Sequence, residues 1–197
     1  DWSSDVCSSD LCDTDFFKGE MFALEALLAR MDALWPPDGD ARWCVLTGGE
    51  PCLQLDAALV DALHAGGWRI ALETNGTRAN AAALACDWLC VAPKRGTAWQ
   101  TLGAADELKV VLPGAAPGLP GWTPDELLEV ERFVSVQARP RHPVGHRPAL
   151  FVQPQDELGG VAGGALAFAN LAQCIDRVRR HPRWRLSLQT HKLIGLP

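Results

Sequence analysis

The chain has 197 residues, 48% of them hydrophobic, so it is long enough to bury the core of one catalytic domain. Its formal net charge is −6, with no block of like charges, which argues against nucleic acid as a partner. No apolar run approaches the roughly 18 residues of a membrane span, and no signal-peptide pattern opens the chain, so we expect a cytoplasmic protein that acts on a small molecule.

The first eleven residues, DWSSDVCSSDL, are rich in Ser and Asp and have no periodicity. We expect residues 1–11 to be a non-native segment, followed by a single domain at 12–197. Seven cysteines are an odd number, and several lie inside apolar runs such as WCVL at 43–46. We expect buried, reduced thiols.

Residues 20–35 have the spacing of an amphipathic helix that ends at Pro36. Its predicted apolar stripe consists of Phe22, Leu24, Leu27, Leu28, Met31 and Leu34. The run RWCVLTGGEP then predicts a buried strand, QLDAALVDALHAGG a helix and WRIALETNG a second strand.

The alternation continues with an alanine-rich segment at 78–85 and the strand-like runs DWLCVAPK and DELKVVLP. Strands that alternate with helices predict a parallel sheet built from βαβ units with right-handed crossovers. In such sheets, ligands bind beyond the carboxyl ends of the strands.

Seven of the fourteen prolines lie between Pro113 and Pro148, which predicts an excursion from the core sheet at about 113–148. Only ERFVSVQ, at 131–137, resembles a strand within it. We interpret its loose basic cluster as solvated surface charge; the members are Arg132, Arg139, Arg141 and Arg147.

From Gly163 a second amphipathic pattern predicts a helix that ends at Pro182. Its predicted apolar stripe is Leu166, Phe168, Leu171, Ile175 and Val178. The run RWRLSLQT predicts a last strand, which would deliver His191 and Lys192 to the edge where the other strands end.

Unusual residues follow four of the predicted strands, in the motifs TGGEP, ETNG, APK and QPQD. Turn chemistry would explain any one of them, but together they place four ionisable side chains on one rim, namely Glu50, Glu73, Lys94 and Asp156. The adjacent Gly48 and Gly49 let the backbone approach a ligand closely. The pattern indicates a site for a small polar ligand.

The segment CDTDF at 12–16 precedes these motifs, and CVAPK, ELKVV, FVQPQD and RLSLQTHK occur in order after TGGEP and ETNGT. In this order the motifs resemble the radical S-adenosylmethionine superfamily and, more narrowly, 7-carboxy-7-deazaguanine synthase, from Cys12 to Pro197. The resemblance implies an α/β fold, a shortened partial (β/α) barrel with a mostly parallel sheet, in a homodimer.

The resemblance also implies three cofactors. A [4Fe–4S] cluster would be held by three cysteines, of which Cys12 is one, and Mg²⁺ would be bound by Thr14. S-adenosylmethionine would bind the open iron and contact the residues Gly48, Gly49, Glu50, Glu73, Asn75 and Lys94.

The implied reaction belongs to queuosine and 7-deazapurine biosynthesis, and the enzyme is a lyase. A radical takes hydrogen from 6-carboxy-5,6,7,8-tetrahydropterin, whose ring contracts with loss of ammonia to give 7-carboxy-7-deazaguanine. The implied substrate contacts are Thr47, Gly48, Gln153, His191 and Pro197. A reductase or flavodoxin-type protein would donate the electron.

The sequence departs from the family pattern at the cluster motif. Ser9 occupies a position that the family fills with cysteine, and Cys7 has the wrong spacing from Cys12. We therefore expect this copy, as written, not to assemble a normal cluster.

The sequence departs from the family pattern in two further details. One is the long proline-rich stretch, and the other is Ala92, which precedes Pro93 and Lys94. Two alternatives stay open, an inactive remnant that binds a nucleotide-like ligand and another radical enzyme such as a glycyl-radical activase. A Rossmann dehydrogenase is disfavoured because no G-x-G-x-x-G follows the first strand.

Overall fold

Short strands alternate with helices along the chain. The structure is a computed structural model that describes residues 20–36, 39–113, 121–155 and 165–190. The helices are α1 (Leu24–Leu34), α2 (Ala57–Ala65), α3 (Ala81–Ala85), α4 (Pro124–Arg132) and α5 (Ala165–Arg180). The strands are β1 (Arg42–Leu46), β2 (Trp68–Thr74), β3 (Trp88–Val91), β4 (Glu107–Leu112), β5 (Ala149–Pro154) and β6 (Trp184–Leu186). None of the helices described is long and apolar enough to span a bilayer.

All six strands form one sheet in the order β1-β2-β3-β4-β5-β6, and every neighbouring pair is parallel. The order never reverses, as it would at the switch point of a doubly wound sheet. Successive right-handed crossovers in one direction place the helices on the same face, which is the arrangement of a (β/α) barrel. The predicted α/β class with a parallel sheet is confirmed.

Burial alternates along the strands because only one face of the sheet packs against helices. The core on that face includes Ile70, Leu72, Leu108, Val110, Leu150 and Val152, together with Leu63 of α2, Val130 of α4 and Cys174 of α5. We call the opposite face the inner face; its side chains include Trp43, Val45, Glu73, Trp88, Cys90, Glu107, Lys109, Phe151 and Gln153. The prediction that β1 is buried is wrong, because its residues alternate between partly buried and exposed, and Val45 is 57% exposed.

The predicted apolar stripes of the first and last helices are partly wrong. Helix α1 begins at Leu24, so Phe22 precedes it, and Leu34 is 77% exposed in its last turn. In α5 the predicted Phe168 and Ile175 are exposed, because the helix turns Asn170 and Cys174 to the core instead. There the Asn170 side chain donates to the Gln155 carbonyl, a polar anchor that an apolar pattern cannot reveal.

The proline-rich excursion contains a helix that the sequence analysis missed. Thr123 caps α4, its hydroxyl accepts from the Glu126 amide, and the Glu126 carboxylate accepts in return from the Thr123 amide. Pro124 occupies the first turn, where its missing N–H costs nothing. The strand expected at 131–137 is wrong, because α4 runs through Arg132 and no strand follows before β5.

Arg139 is not surface charge, contrary to the interpretation of the basic cluster. Its side chain is 3% exposed and forms an ion pair with Asp106, whose side chain is 1% exposed. The guanidinium also donates to the carbonyl of Leu84, in the last turn of α3, and to that of Cys86, which caps the helix. Arg139 therefore ties α3 to the start of β4.

We expect Arg139→Leu to lower the free energy of unfolding by about 3–5 kcal/mol, because it leaves the Asp106 carboxylate buried without its cation. Urea unfolding followed by circular dichroism measures the change. Arg141→Leu is the control, since Arg141 is 48% exposed and lies 3.6 Å from Asp87; it should cost at most about 1 kcal/mol. Equal losses in both variants would contradict the role of Arg139.

Candidate functional site

The motifs singled out in the sequence meet at one edge of the sheet. Because all strands are parallel, their carboxyl ends lie together, and we call this the carboxyl edge; the residues that follow the strands there include Thr47, Asn75, Ala92, Gln155 and Ser187. The expected convergence is confirmed for TGGEP, ETNG and APK. Lys94 lies at this edge, just beyond β3, and Gln153 near the end of β5.

Six predicted residues lie outside the described residues. These are Cys12, Thr14, Asp156, His191, Lys192 and Pro197. Strand β6, which leads towards His191, is parallel to β5 as expected.

The loop after β1 depends on two glycines in the left-handed region. Gly48 has φ of 86° and Gly49 has φ of 51°. A residue with a Cβ would cost roughly 1–2 kcal/mol at such a position. With no side chains on either residue, the backbone of this loop is open to a ligand at the carboxyl edge.

The Glu50 carboxylate fixes this loop to the second strand. Its Oε1 accepts from the Cys52 amide at 3.0 Å and from the Thr74 hydroxyl at 2.6 Å. Its Oε2 accepts from the Asn75 amide at 2.8 Å. Glu50 is only 4% exposed, so these three donors replace the water that the charge has lost.

Because its oxygens are engaged inside the protein, Glu50 positions the loop through its side chain. A ligand at the loop would meet the backbone of residues 47–50 before it met this carboxylate. The Asn75 side chain has a similar local role, since its Oδ1 accepts from the amide and the hydroxyl of Thr77. Thr47 is exposed where the loop begins.

Lys94 supplies positive charge to the carboxyl edge. Its carbonyl accepts from the amide and the hydroxyl of Thr97, which fixes the turn after β3. Its ammonium forms no ion pair within the part of the chain that the structure describes. The charge is thus available to an anionic group of a ligand.

Charged side chains project from the inner face below this edge. Lys109 Nζ donates to Glu73 Oε1 at 3.0 Å, joining β4 to β2. Glu107 lies beside this pair and accepts from the Trp88 indole at 3.3 Å and from the Cys90 thiol at 3.5 Å. Lys109 and Glu107 were not predicted from the sequence, although the alternation in ELKVVL places both on one face.

The electrostatics of the inner face keep Lys109 charged and Cys90 neutral. Burial would lower the pKa of Lys109, but its negative neighbours, among them Glu73, outweigh burial and raise the pKa above its ordinary value. Burial raises the pKa of the Cys90 thiol well above its usual range. Cys90 is therefore a neutral thiol that donates a hydrogen bond to Glu107.

The described cysteines do not form an iron–sulfur site. Cys44, Cys52, Cys86, Cys90 and Cys174 are all unpaired, as expected for reduced thiols. Burial raises the pKa values of Cys52, Cys86 and Cys174 to about 12, whereas cluster ligands are thiolates. No three of the described cysteines come together.

Several curated proteins resemble the chain over most of its length. The 7-carboxy-7-deazaguanine synthase of Bradyrhizobium diazoefficiens is 40% identical over 191 residues, which cover 96% of the chain and 77% of the relative. The proteins of the same name from Caulobacter vibrioides and Burkholderia multivorans are 40% and 38% identical, over 97% of the chain and 77% of each relative. No protein-family model matches the chain.

Among solved structures, the crystal structure of QueE from Escherichia coli superimposes with a TM-score of 0.54 at 22% sequence identity. The match covers 85% of the chain and 64% of the QueE chain. At this identity the likeness concerns the fold.

We expect Glu50→Gln to lower the free energy of unfolding by about 1–3 kcal/mol, because an amide offers one accepting oxygen where three donors point. The midpoint of urea unfolding measures the effect. The matched control is Glu73→Gln, which changes the same group on a side chain that is 41% exposed and should cost less than about 1 kcal/mol. A Glu50→Gln variant as stable as the control would contradict the role of Glu50 in fixing the loop after β1.

Proposed function

The chain belongs to the 7-carboxy-7-deazaguanine synthase family, a family of enzymes, and from this premise we propose that it converts 6-carboxy-5,6,7,8-tetrahydropterin to 7-carboxy-7-deazaguanine with loss of ammonia. The observation that carries the proposal is the juxtaposition of an open glycine loop at the carboxyl edge with a charged inner face. A nucleoside-type cofactor and a polar bicyclic substrate need these two surfaces side by side. The product feeds queuosine and 7-deazapurine biosynthesis.

S-adenosylmethionine fits the carboxyl edge of the sheet. Gly48 and Gly49 present backbone groups to its methionyl portion, and Glu50 keeps their loop in place from behind. Lys94 offers an ammonium to a carboxylate, and Asn75 lies next to the loop. Together with a [4Fe–4S] cluster, the bound cofactor would supply the radical that takes hydrogen from the substrate.

The inner face fits a pterin that carries a carboxylate. Lys109 stays protonated beside Glu73, so the pair presents a cation and an anion to a ligand on the inner face. A cation suits the substrate carboxylate, and an anion suits the N–H groups of the pterin ring. Thr47, Gly48 and Gln153 would complete this surface at the carboxyl edge.

The proposal also includes residues outside the described ranges, and partners of the protein. Cys12 would be a cluster ligand, Thr14 would bind Mg²⁺, and His191 and Pro197 would contact the substrate. A hard cation suits Thr14 because Mg²⁺ prefers oxygen ligands. We further propose a cytoplasmic homodimer that receives electrons from a reductase or flavodoxin-type protein.

The activity is tested anaerobically with iron, sulfide, S-adenosylmethionine and the tetrahydropterin, using mass spectrometry to detect 7-carboxy-7-deazaguanine. The unchanged chain is compared with a chimaera in which residues 1–11 are replaced by the whole segment of the Bradyrhizobium diazoefficiens relative that precedes its counterpart of Cys12. We expect cluster absorbance and product from the chimaera and neither from the unchanged chain, in which Ser9 stands at a cluster position. A chimaera that binds a cluster and forms no product would overturn the proposed reaction.

We expect Gly48→Ala to weaken the affinity of the reconstituted chimaera for S-adenosylmethionine by about tenfold or more, because the loop must leave its left-handed conformation or hold a strained Cβ against the ligand. Equilibrium binding measures the loss. Gly67→Ala is the control: Gly67 has φ of 77° at the turn before β2, and an added Cβ there meets nothing within 4 Å. Both glycines have a positive φ, so equal affinities in the two variants would show that Gly48 has no part in binding.

A further inference from the structure

A second group of ligand-type side chains lies at the opposite end of the sheet. We call this end, where the strands begin, the amino edge; Asp87 precedes β3, Asp106 precedes β4 and Pro148 precedes β5. Here Asp106, His142 and His146 each offer one ligand atom, and these atoms all lie within 4.8 Å of one another. The group takes no part in the candidate site at the carboxyl edge.

Asp106 has one oxygen that the protein uses and one that it does not. Its Oδ2 accepts from the Leu89 amide at 2.6 Å and from the Arg139 guanidinium. Its Oδ1 is buried and accepts no hydrogen bond from any described residue. A buried anionic oxygen without a donor is costly even when Arg139 pairs with the other oxygen, so Oδ1 calls for a partner of its own.

His142 lies where it can share that partner. Its Nε2 is 3.1 Å from Asp106 Oδ1, yet the two atoms do not have hydrogen-bond geometry. Two ligand atoms of a tetrahedral Zn²⁺ with bonds of roughly 2.0–2.2 Å are separated by about 3.4 Å. Without hydrogen-bond geometry, the two atoms are nevertheless close enough to bind one ion together.

His146 is held beside His142 in a stacked pair, with ring centroids 3.6 Å apart and planes 10° from parallel. The turn between the two histidines is fixed by bonds between Ser135 and the backbone of Gly145 and His146. The imidazoles are therefore preorganised next to Asp106.

We propose that Asp106, His142 and His146 bind a divalent cation of the Zn²⁺ class at the amino edge. Two imidazoles and one carboxylate are the donor set of many zinc sites, in which water takes the fourth position, whereas Mg²⁺ and Ca²⁺ prefer oxygen alone. The Leu89 amide and Arg139 hold the carboxylate from behind, as outer partners of metal ligands do. The ion ties the turn before β5 to the start of β4.

The test uses Zn²⁺ alone, added to the chain after chelation and without iron or sulfide, so that its result is independent of the proposed enzyme activity. Calorimetry should detect one site, which His142→Phe and His146→Phe each weaken by at least about tenfold. Phenylalanine keeps the stacking and removes the nitrogen. His64→Phe is the control, since His64 lies at the same edge with its Nε2 3.0 Å from Asp87 Oδ2. The affinity of this variant for Zn²⁺ should equal that of the unchanged chain.

A second readout identifies the ligand type. Co²⁺ bound in place of Zn²⁺ should give visible absorption without a thiolate charge-transfer band, because the proposed site contains no cysteine. Zn²⁺ should raise the Tm of the unchanged chain and of His64→Phe but not of His146→Phe. Binding that survives both histidine substitutions, a thiolate band, or no binding of Zn²⁺ at all would each overturn the proposal.

Discussion

A buried carboxylate with no cation among its bonded partners organises the carboxyl edge of this protein. Glu50 would be too costly to bury unless its oxygens were satisfied, and the amides of Cys52 and Asn75 and the Thr74 hydroxyl satisfy them. Those donors come from both sides of the gap between β1 and β2. The charge therefore fixes the relative position of two strand ends and, through the adjacent Gly48 and Gly49, the conformation of the loop that faces a ligand.

The order of the strands explains why a second polar surface lies so close to this loop. Crossovers that always progress in one direction cover one face of the sheet with helices and leave the inner face without them. The covered face is mainly apolar, whereas the inner face can carry the Glu73 and Lys109 pair. The inner face can bind a ligand because of this topology. A doubly wound sheet has helices on both faces and would leave no such face open.

Patterns that depend on near neighbours could be predicted from the sequence, and contacts between distant residues could not. The strands and their common direction follow from apolar runs that alternate with helical segments. The burial of Arg139 depends on Asp106, 33 residues away, and on two carbonyls of α3. Helix α4 could have been predicted, because Thr123, Pro124 and Glu126 form a local capping signal. The many prolines around the helix obscured this signal.

The two ends of the sheet carry separate tasks, because the candidate active site lies at the carboxyl edge and the Arg139 and Asp106 pair lies at the amino edge. Strand β4, only six residues long, connects them. Loops at the carboxyl edge can therefore acquire new substrates during evolution without weakening the pair that holds the scaffold. An engineer gains the same freedom, since stabilising changes at the amino edge would leave the specificity of the loops untouched.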